Sequence, residues 1–277
     1  MTVLDLFAGP GGWDTGLRAA GYTGPLLGIE IDAAACDTAR AAGHDRLQAD
    51  VAALDPDQFR PVVGIIASPP CQGFAAGGKG RGRVDAEYLL AGLDTVHTVD
   101  GLRGVIEDLR ETMTDARSLL ALEPLRWVLT LTPAWSTWEQ VPSVLPIWER
   151  CAVVLRRRGY TVETAALHAE QFGVPQTRRR AVLVAHRSDM PPAAMPAPTH
   201  SRYHARTPDR RDPDLRPWVS MADAIGWGMT NRPYPTVAAG TAAGGADPQM
   251  IGGSGARETI ARERDEGRWI PQPPRPE

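Results

Sequence analysis

Short apolar runs alternate with amphipathic stretches through the first 186 residues of the chain. Val3-Leu4-Asp5-Leu6-Phe7 stops at Ala8-Gly9-Pro10-Gly11-Gly12, which reads as a buried strand entering a glycine turn. Trp13 to Ala20 follows as a helix closed by Gly21. Pro25 to Ile29 predicts another buried strand, ending at Glu30-Ile31-Asp32 and followed by an alanine-rich helix. Val62 to Ala67 predicts a strand that runs into Ser68-Pro69-Pro70-Cys71. From about Thr95 to Leu131 the apolar spacing is helical. Ala134 to Val141 predicts a strand, Leu145 to Arg158 a helix, and Val162 to Leu167 with Ala181 to Ala185 a closing pair of strands. Strands that alternate with helices imply right-handed crossovers. The expected fold class is α/β: a Rossmann-like, mostly parallel sheet with helices on both faces.

Two stretches break this alternation. Residues 73–90 are rich in glycine and carry Lys79, Arg81 and Arg83, which predicts a mobile loop. After His186 the composition shifts: residues 187–217 hold seven prolines among scattered arginines and histidines, including Arg202, Arg206, Arg210 and Arg211. That segment reads as a small loop-rich subdomain or a linker. Glycines, charges and finally prolines dominate after Gly240, which predicts a poorly ordered tail. The expected organisation is an α/β domain over 1–186, a small loop-rich region over 187–240 and a tail over 241–277.

Charge and cysteine usage narrow the function classes. The net charge is −3, so any nucleic-acid footprint has to be local. Nearly all the positive charge is arginine, with Lys79 the one lysine. Three scattered cysteines, Cys36, Cys71 and Cys151, do not form a disulfide framework and suggest a reducing, cytoplasmic setting. No stretch approaches the ~20 apolar residues that cross a bilayer, and Met1 to Asp5 does not read as a secretion leader. Neither cysteine nor histidine spacing suggests a metal site.

Four groups of residues carry candidate chemistry. Phe7, Ala8, Gly9, Gly11 and Gly12 form a strand-to-helix turn where backbone approaches a ligand closely and helix N–H groups are free. Glu30, at the end of the next strand, is placed to bind ribose hydroxyls, with Ile31 beside it; the bland alternative is a solvated strand end. No Gly-Lys-Ser/Thr follows, and the glycine spacing suits an adenosyl ligand without a pyrophosphate better than NAD. Asp50 is placed to accept from an adenine amino group. The second group is Pro69-Pro70-Cys71-Gln72: most lone cysteines are small core residues, but a double proline at the end of a buried strand aims this thiol where open sheets bind ligands. Third, Glu139, in Trp138-Glu139-Gln140-Val141-Pro142, emerges from an apolar strand, where a raised pKa would let it donate a proton. Last, in Gln176-Thr177-Arg178-Arg179-Arg180 an extended backbone puts Arg178 and Arg180 on one side.

Taken in this order, these segments resemble the cytosine-5 DNA methyltransferases. Asp5 to Gly12 is similar to that family's S-adenosyl-L-methionine loop, and Glu30-Ile31-Asp32 with Asp50-Val51 to its acidic contacts. Pro69-Pro70-Cys71-Gln72 resembles its catalytic loop, Glu139-Gln140-Val141 its Glu-Asn-Val, Gln176 to Arg180 its Gln-x-Arg-x-Arg, and Arg232 to Val237 the segment after its recognition region. The resemblance implies that Cys71 attacks carbon 6 of a flipped cytosine, Glu139 holds the ring, and Arg178 and Arg180 orient the base. It implies cofactor contacts at Phe7 through Gly12, Glu30, Ile31, Asp50, Pro70 and Leu119. Double-stranded DNA would be met by Gln72, Lys79, Arg81, Arg83, Arg202, Arg206, Arg210 and Arg211. Gln140 departs from the family's asparagine, and after Gly240 only Ile251-Gly252-Gly253-Ser254 echoes its Gly-Asn-Ser/Ala-Val segment, whose helix packs beside the N-terminal strand. A partner chain that supplies this piece is one expectation. A non-catalytic DNA-binding or partner subunit that retains the fold is the competing function.

Overall fold

A computed structural model describes residues 1–70, 74, 81–225, 229–235 and 254–270. Along the chain β1 (Thr2–Leu6) is followed by α1 (Gly12–Ala19), β2 (Leu26–Glu30), α2 (Ala33–Ala41), β3 (Arg46–Gln48) and β4 (Val62–Ala67). Next come α3 (Arg81–Asp94), α4 (Val99–Leu109), α5 (Glu123–Leu131), β5 (Trp135–Gln140), α6 (Leu145–Arg157) and β6 (Tyr160–His168). The chain continues with β7 (Gln176–Thr177), β8 (Arg179–Arg187), α7 (Met221–Ile225), β9 (Met229–Thr230), β10 (Tyr234–Pro235), α8 (Ser254–Asp265) and β11 (Trp269–Ile270). Two units form: Met1–Ala166 with Arg180–Met195, and Leu167–Arg179 with Pro196–Glu277.

The first unit is built on a seven-stranded sheet in the order β3-β2-β1-β4-β5-β8-β6. β1 pairs in parallel with β2 and β4, β2 with β3, and β4 with β5, whereas β8 runs antiparallel to β5. This is the mostly parallel α/β sheet expected from the sequence. One face carries the main core: Leu4, Leu6, Ile29, Ile65, Trp138 and Leu183 pack with Leu89, Leu102, Leu125, Val128, Ile147 and Leu155 from α3 through α6. Burying such side chains contributes about 1.5–3 kcal/mol each. On the other face a smaller cluster, Val3, Leu26 and Ile66, is met by Trp13 and Leu17 of α1. Farther along that face the cover thins. In β5 and β8 burial alternates, and Trp135, Thr137, Val182 and Val184 are only partly buried.

Several expectations need correction. Residues 81–94 are helical as α3 rather than a loop, because Leu89 and Leu93, four apart, are wholly buried in the core and override the local glycines. The helical stretch from 95 to 131 is broken into α4, a 3-10 segment Ala116–Leu122 and α5. Buried Asp85 holds the break, accepting from Thr114 N at 2.8 Å, Asp115 N at 3.1 Å and Ser118 Oγ at 2.6 Å. The boundary expected at 186 also moves, since Leu167–Arg179 belongs with the second unit and residues 187–195 with the first.

In the second unit β7 pairs in parallel with β10, and β9 antiparallel with β11. Residues 199–216 form a closed loop rather than a linker: Ser201 N donates to Arg216 O at 2.7 Å, and Asp212 accepts from Arg202 N at 2.8 Å and His204 Nε2 at 2.9 Å. Those bonds hold the Asp212 carboxyl below the usual carboxylate range. The expected disordered tail contains α8 and β11, whose Glu263 is 1% exposed and pairs with Thr230, Arg232 and Arg268. Residues 241–253 and 271–277 lie outside the described ones.

Candidate active site

Parallel strands put the C-terminal ends of β1, β2, β4 and β5 along one edge of the sheet, where open α/β sheets bind ligands. The chain leaves β1 through a strained turn, with Phe7 at φ +60°, Gly9 at +53° and Gly11 at +105°. A left-handed phenylalanine is uncommon, and such strain collects at ligand sites. Gly9 is held from both sides. Its N–H donates to Glu30 Oε2 at 2.8 Å, and its carbonyl accepts from Arg46 Nε at 3.2 Å. Glu30 Oε1 accepts from Asp32 N at 2.8 Å, so each oxygen of Glu30 spends one lone pair on backbone and keeps another for a ligand hydroxyl.

Beneath the turn lies a charge cluster that sequence reasoning missed. Arg46 forks onto Asp14 with bonds of 3.0 and 2.7 Å, both side chains almost fully buried. Gly28 makes room for it, since a Cβ there would collide with the Arg46 guanidinium. Asp5 is also wholly buried beside Asp14, and among the described residues neither of its oxygens accepts a hydrogen bond. Burial, with Asp14 beside it, pushes its carboxyl well above the ordinary range. No spacing in the sequence pairs residues 14 and 46, so nothing there announces this brace.

At the other end of the edge, the antiparallel run of β8 matters. Because β8 starts where β5 ends, with Glu139 opposite Val182 and Gln140 opposite Ala181, Arg180 arrives beside Glu139. Arg180 Nε donates to Glu139 Oε1 at 2.7 Å, with the two side chains 21% and 24% exposed. The apolar surroundings expected for Glu139 are therefore not what it meets; a guanidinium faces it instead. Gln140 Nε2 donates to the carbonyl of Pro69, which ties the end of β5 to the segment that leaves β4. Trp13 Nε1 also donates to Ser68 Oγ at 2.8 Å.

The sequence matches the family C-5 cytosine-specific DNA methylase over residues 1–93 and 107–223. The chain belongs to this family. Among its relatives is the type II methyltransferase M1.HphI of Haemophilus parahaemolyticus, 31% identical over 74% of this chain and 50% of that protein. Another is M.AquIA of Picosynechococcus, 26% identical over 80% of this chain and 87% of that protein. The chain spans about half the length of the first curated relatives it matches. Among solved structures, a putative DNA modification methyltransferase encoded within an E. coli prophage matches at a TM-score of 0.52 and 18% identity, over 96% of this chain and 69% of that one. S. pombe Dnmt2 methyltransferase matches at 0.51 and 22%, over 70% and 53%. These two show the fold: that of Rossmann-like methyltransferases.

The chain's predicted site residues divide into those the structure gathers and those it does not describe. Phe7, Ala8, Gly9 and Gly11 form the turn from β1 into α1, Gly12 begins α1, and Glu30 at the end of β2 is joined to that turn through Gly9 N. Ile31 is 64% exposed, and exposed Asp50 accepts from Ala52 N at 2.9 Å. Leu119 is 7% exposed on the 3-10 segment and lines a cleft of about 300 Å³ together with Ala52. Pro70 follows β4. Cys71, Gln72 and Lys79 lie outside the described residues, as do the side chains of Arg81 and Arg83. Arg178 lies in the second unit, where its carbonyl accepts from Ala169 N at 2.8 Å.

Arg202, Arg206, Arg210 and Arg211 all sit on the exposed 199–216 loop. Arg211 is engaged locally, 4.6 Å over the Trp218 ring. Within the same unit a cavity of about 330 Å³ is lined by His168, Arg179, Arg202, Tyr203 and Arg232. Burial and the nearby Arg202 and Arg179 hold the His168 pKa low. Among the described residues no helix is long and apolar enough to cross a membrane.

Proposed function

We propose that this chain carries the cofactor-binding and catalytic part of a DNA cytosine-5 methyltransferase of the restriction–modification kind. Family and fold imply S-adenosyl-L-methionine, and the residues present fit it. A Cβ at Gly9 or Gly12 would meet nothing within 4 Å, so the turn leaves open space beside Glu30. Phe7 through Gly12 would approach the ligand with backbone, Glu30 would take ribose hydroxyls, and Ile31, Asp50, Pro70 and Leu119 would border the adenine. When bound, the cofactor supplies a methyl group on a positively charged sulfur.

In this reading a cytosine flips out of the duplex, because its ring carbons are unreachable inside the stack. Cys71 as thiolate adds to ring carbon 6, which makes carbon 5 nucleophilic toward the methyl group. Glu139 holds the ring nitrogen and exocyclic amine, and Arg180 fixes the Glu139 carboxylate. Transfer of the carbon 5 proton to water, with breakage of the bond from carbon 6 to sulfur and release of Cys71 as thiolate, completes the reaction. Arg178 contacts the base or its backbone. Gln72, Lys79, Arg81 and Arg83 meet DNA next to the cysteine, and Arg202, Arg206, Arg210 and Arg211 meet it from the second unit. The observation that supports this most directly is the Glu139–Arg180 pair, set beside the Pro69-Pro70 segment by the antiparallel turn of the sheet.

The test is transfer of labelled methyl groups to mixed-sequence duplex DNA, with Cys71→Ser as control, and trapping on 5-fluorocytosine DNA. Transfer that survives Cys71→Ser, or trapping on Cys36 or Cys151, removes the proposed nucleophile. The second reading, a subunit that binds DNA without catalysis alone, is favoured by the partly bare apolar face of β5 and β8. It predicts transfer only when a further polypeptide covers that face.

A further inference from the structure

Past the end of β3 the chain leaves the sheet through Ala49 to Leu54, the stretch that carries Asp50. Two local bonds give this stretch its shape: Ala52 N donates to Asp50 Oδ1 at 2.9 Å, and Ala53 N to Asp50 O at 3.1 Å. A carboxylate offers about four acceptor sites, so Asp50 can still accept from a ligand. Where the stretch sits is decided by α5. Arg126 donates through Nη2 to Val51 O at 2.9 Å and through Nη1 to Leu54 O at 3.2 Å, and Trp127 Nε1 reaches the same Val51 O at 3.3 Å. Behind the guanidinium, Glu123 Oε2 accepts from Arg126 Nε at 2.7 Å, with the Glu123 and Arg126 side chains 5% and 9% exposed. Burial pushes the Glu123 carboxyl up, Arg126 pulls it down, and Asp50 stands near enough to push it up again. Ala52, Leu119, Glu123 and Arg126 line one cleft of about 300 Å³.

Stability alone does not call for this arrangement. A buried ion pair is often no better for stability than apolar side chains of the same volume, because both charges leave water. Val51 already anchors its side chain in the core at 2% exposure, but apolar burial is non-directional and does not orient the backbone. A guanidinium fork is planar and rigid, and its grip on the carbonyls of Val51 and Leu54 fixes the direction of the chain between them. Asp50 directly precedes that grip. We infer that Arg126, oriented by Glu123 and joined by Trp127, is a positioning residue that aims Asp50 at the adenine amino group and so sets the base selectivity of the cofactor site. The inference rests on the proposed role of Asp50. Arg126 acts on the cofactor only through Val51 and Leu54.

The experiment measures, by calorimetry, the affinity of the chain for S-adenosyl-L-homocysteine and for S-inosyl-L-homocysteine, in which an oxygen replaces the adenine amino group. Ribose and amino acid are the same in both, so the ratio of affinities reads the Asp50 contact. Wild type should prefer the adenosyl ligand by about tenfold to a hundredfold, the worth of one hydrogen bond to a charged group. Asp50→Ala abolishes that preference. Glu123→Gln combined with Arg126→Met removes the fork without stranding a buried charge, and the preference should fall to about threefold or less. Trp127→Phe keeps a ring in the core and loses only the Nε1 bond. It should lower the preference by about twofold, and it decides the matter should the double variant not fold. Melting temperatures of the same proteins separate lost selectivity from lost stability. A wild-type preference in the folded double variant, or in Trp127→Phe, overturns the inference and leaves the proposed function standing. Equal binding of both ligands by the wild type removes the proposed role of Asp50, and the inference with it. A wild type that binds neither ligand overturns the proposed function itself.

Discussion

Asp5 sits under the glycine turn with no solvent exposure, next to Asp14, and among the described residues neither of its oxygens accepts a hydrogen bond. Its raised folded pKa means that the folded state holds the proton more tightly than the unfolded chain does. Stability linked to Asp5 is therefore full below the ordinary carboxylate pKa and falls as pH rises through the higher folded value. Asp5→Asn removes that loss, and melting curves should show the variant gaining on wild type steadily between acid and neutral pH. A pH-independent difference would contradict the assignment. Arg180→Ala leaves Glu139 without the guanidinium that fixes it, and methyl transfer should drop by about a hundredfold or more with cofactor affinity unchanged. The candidate residues Glu30, Glu139 and Arg180 were legible as residue types at strand ends. That Arg180 meets Glu139 was not, because a pairing of residues 41 apart in sequence exists only once β8 lies antiparallel to β5.

At the scale of elements, the turn after β1 depends on a brace from a strand far along the chain. Arg46 of β3 holds both Gly9 O and Asp14 of α1. Arg46→Ala strands a buried carboxylate, and urea denaturation should show a loss of about 3–5 kcal/mol, because an uncompensated buried charge costs more than the pair contributes. The double change Arg46→Met with Asp14→Leu should recover most of that. Recovery of stability without recovery of cofactor binding would show that the brace serves the turn. Gly28→Ala should cost about 1–3 kcal/mol by the same denaturation, since its methyl would collide with Arg46 and Ala8. The strands of the sheet were legible because buried parallel strands are short apolar runs. α3 was not, because its glycines and arginines read as loop while Leu89 and Leu93 found a core to fill.

For the molecule as a whole, a net charge of −3 leaves the proposed DNA binding to local arginines. Exposed Arg206 and Arg210 stand on the closed 199–216 loop. Replacing both by alanine should lower the slope of log affinity against log salt by about two units, one for each phosphate that no longer meets an arginine. An unchanged slope would place the DNA elsewhere. The same loop shows how a proline-rich, arginine-rich stretch can be ordered. Its stability comes from Asp212 and Ser201 bonding across it, interactions that composition does not reveal.

The amino-acid sequence by itself determined the α/β class, the apolar strands of the parallel core, and the residue types offered at the strand ends, because each depends on local periodicity and on motifs a few residues long. Only the tertiary structure decided which of those ends meet. The direction of β8, the Arg46–Asp14 brace and the Gln140 bond to Pro69 join residues 32 to 71 positions apart. Such partners are chosen by packing of whole elements against one core, and no local pattern encodes that choice.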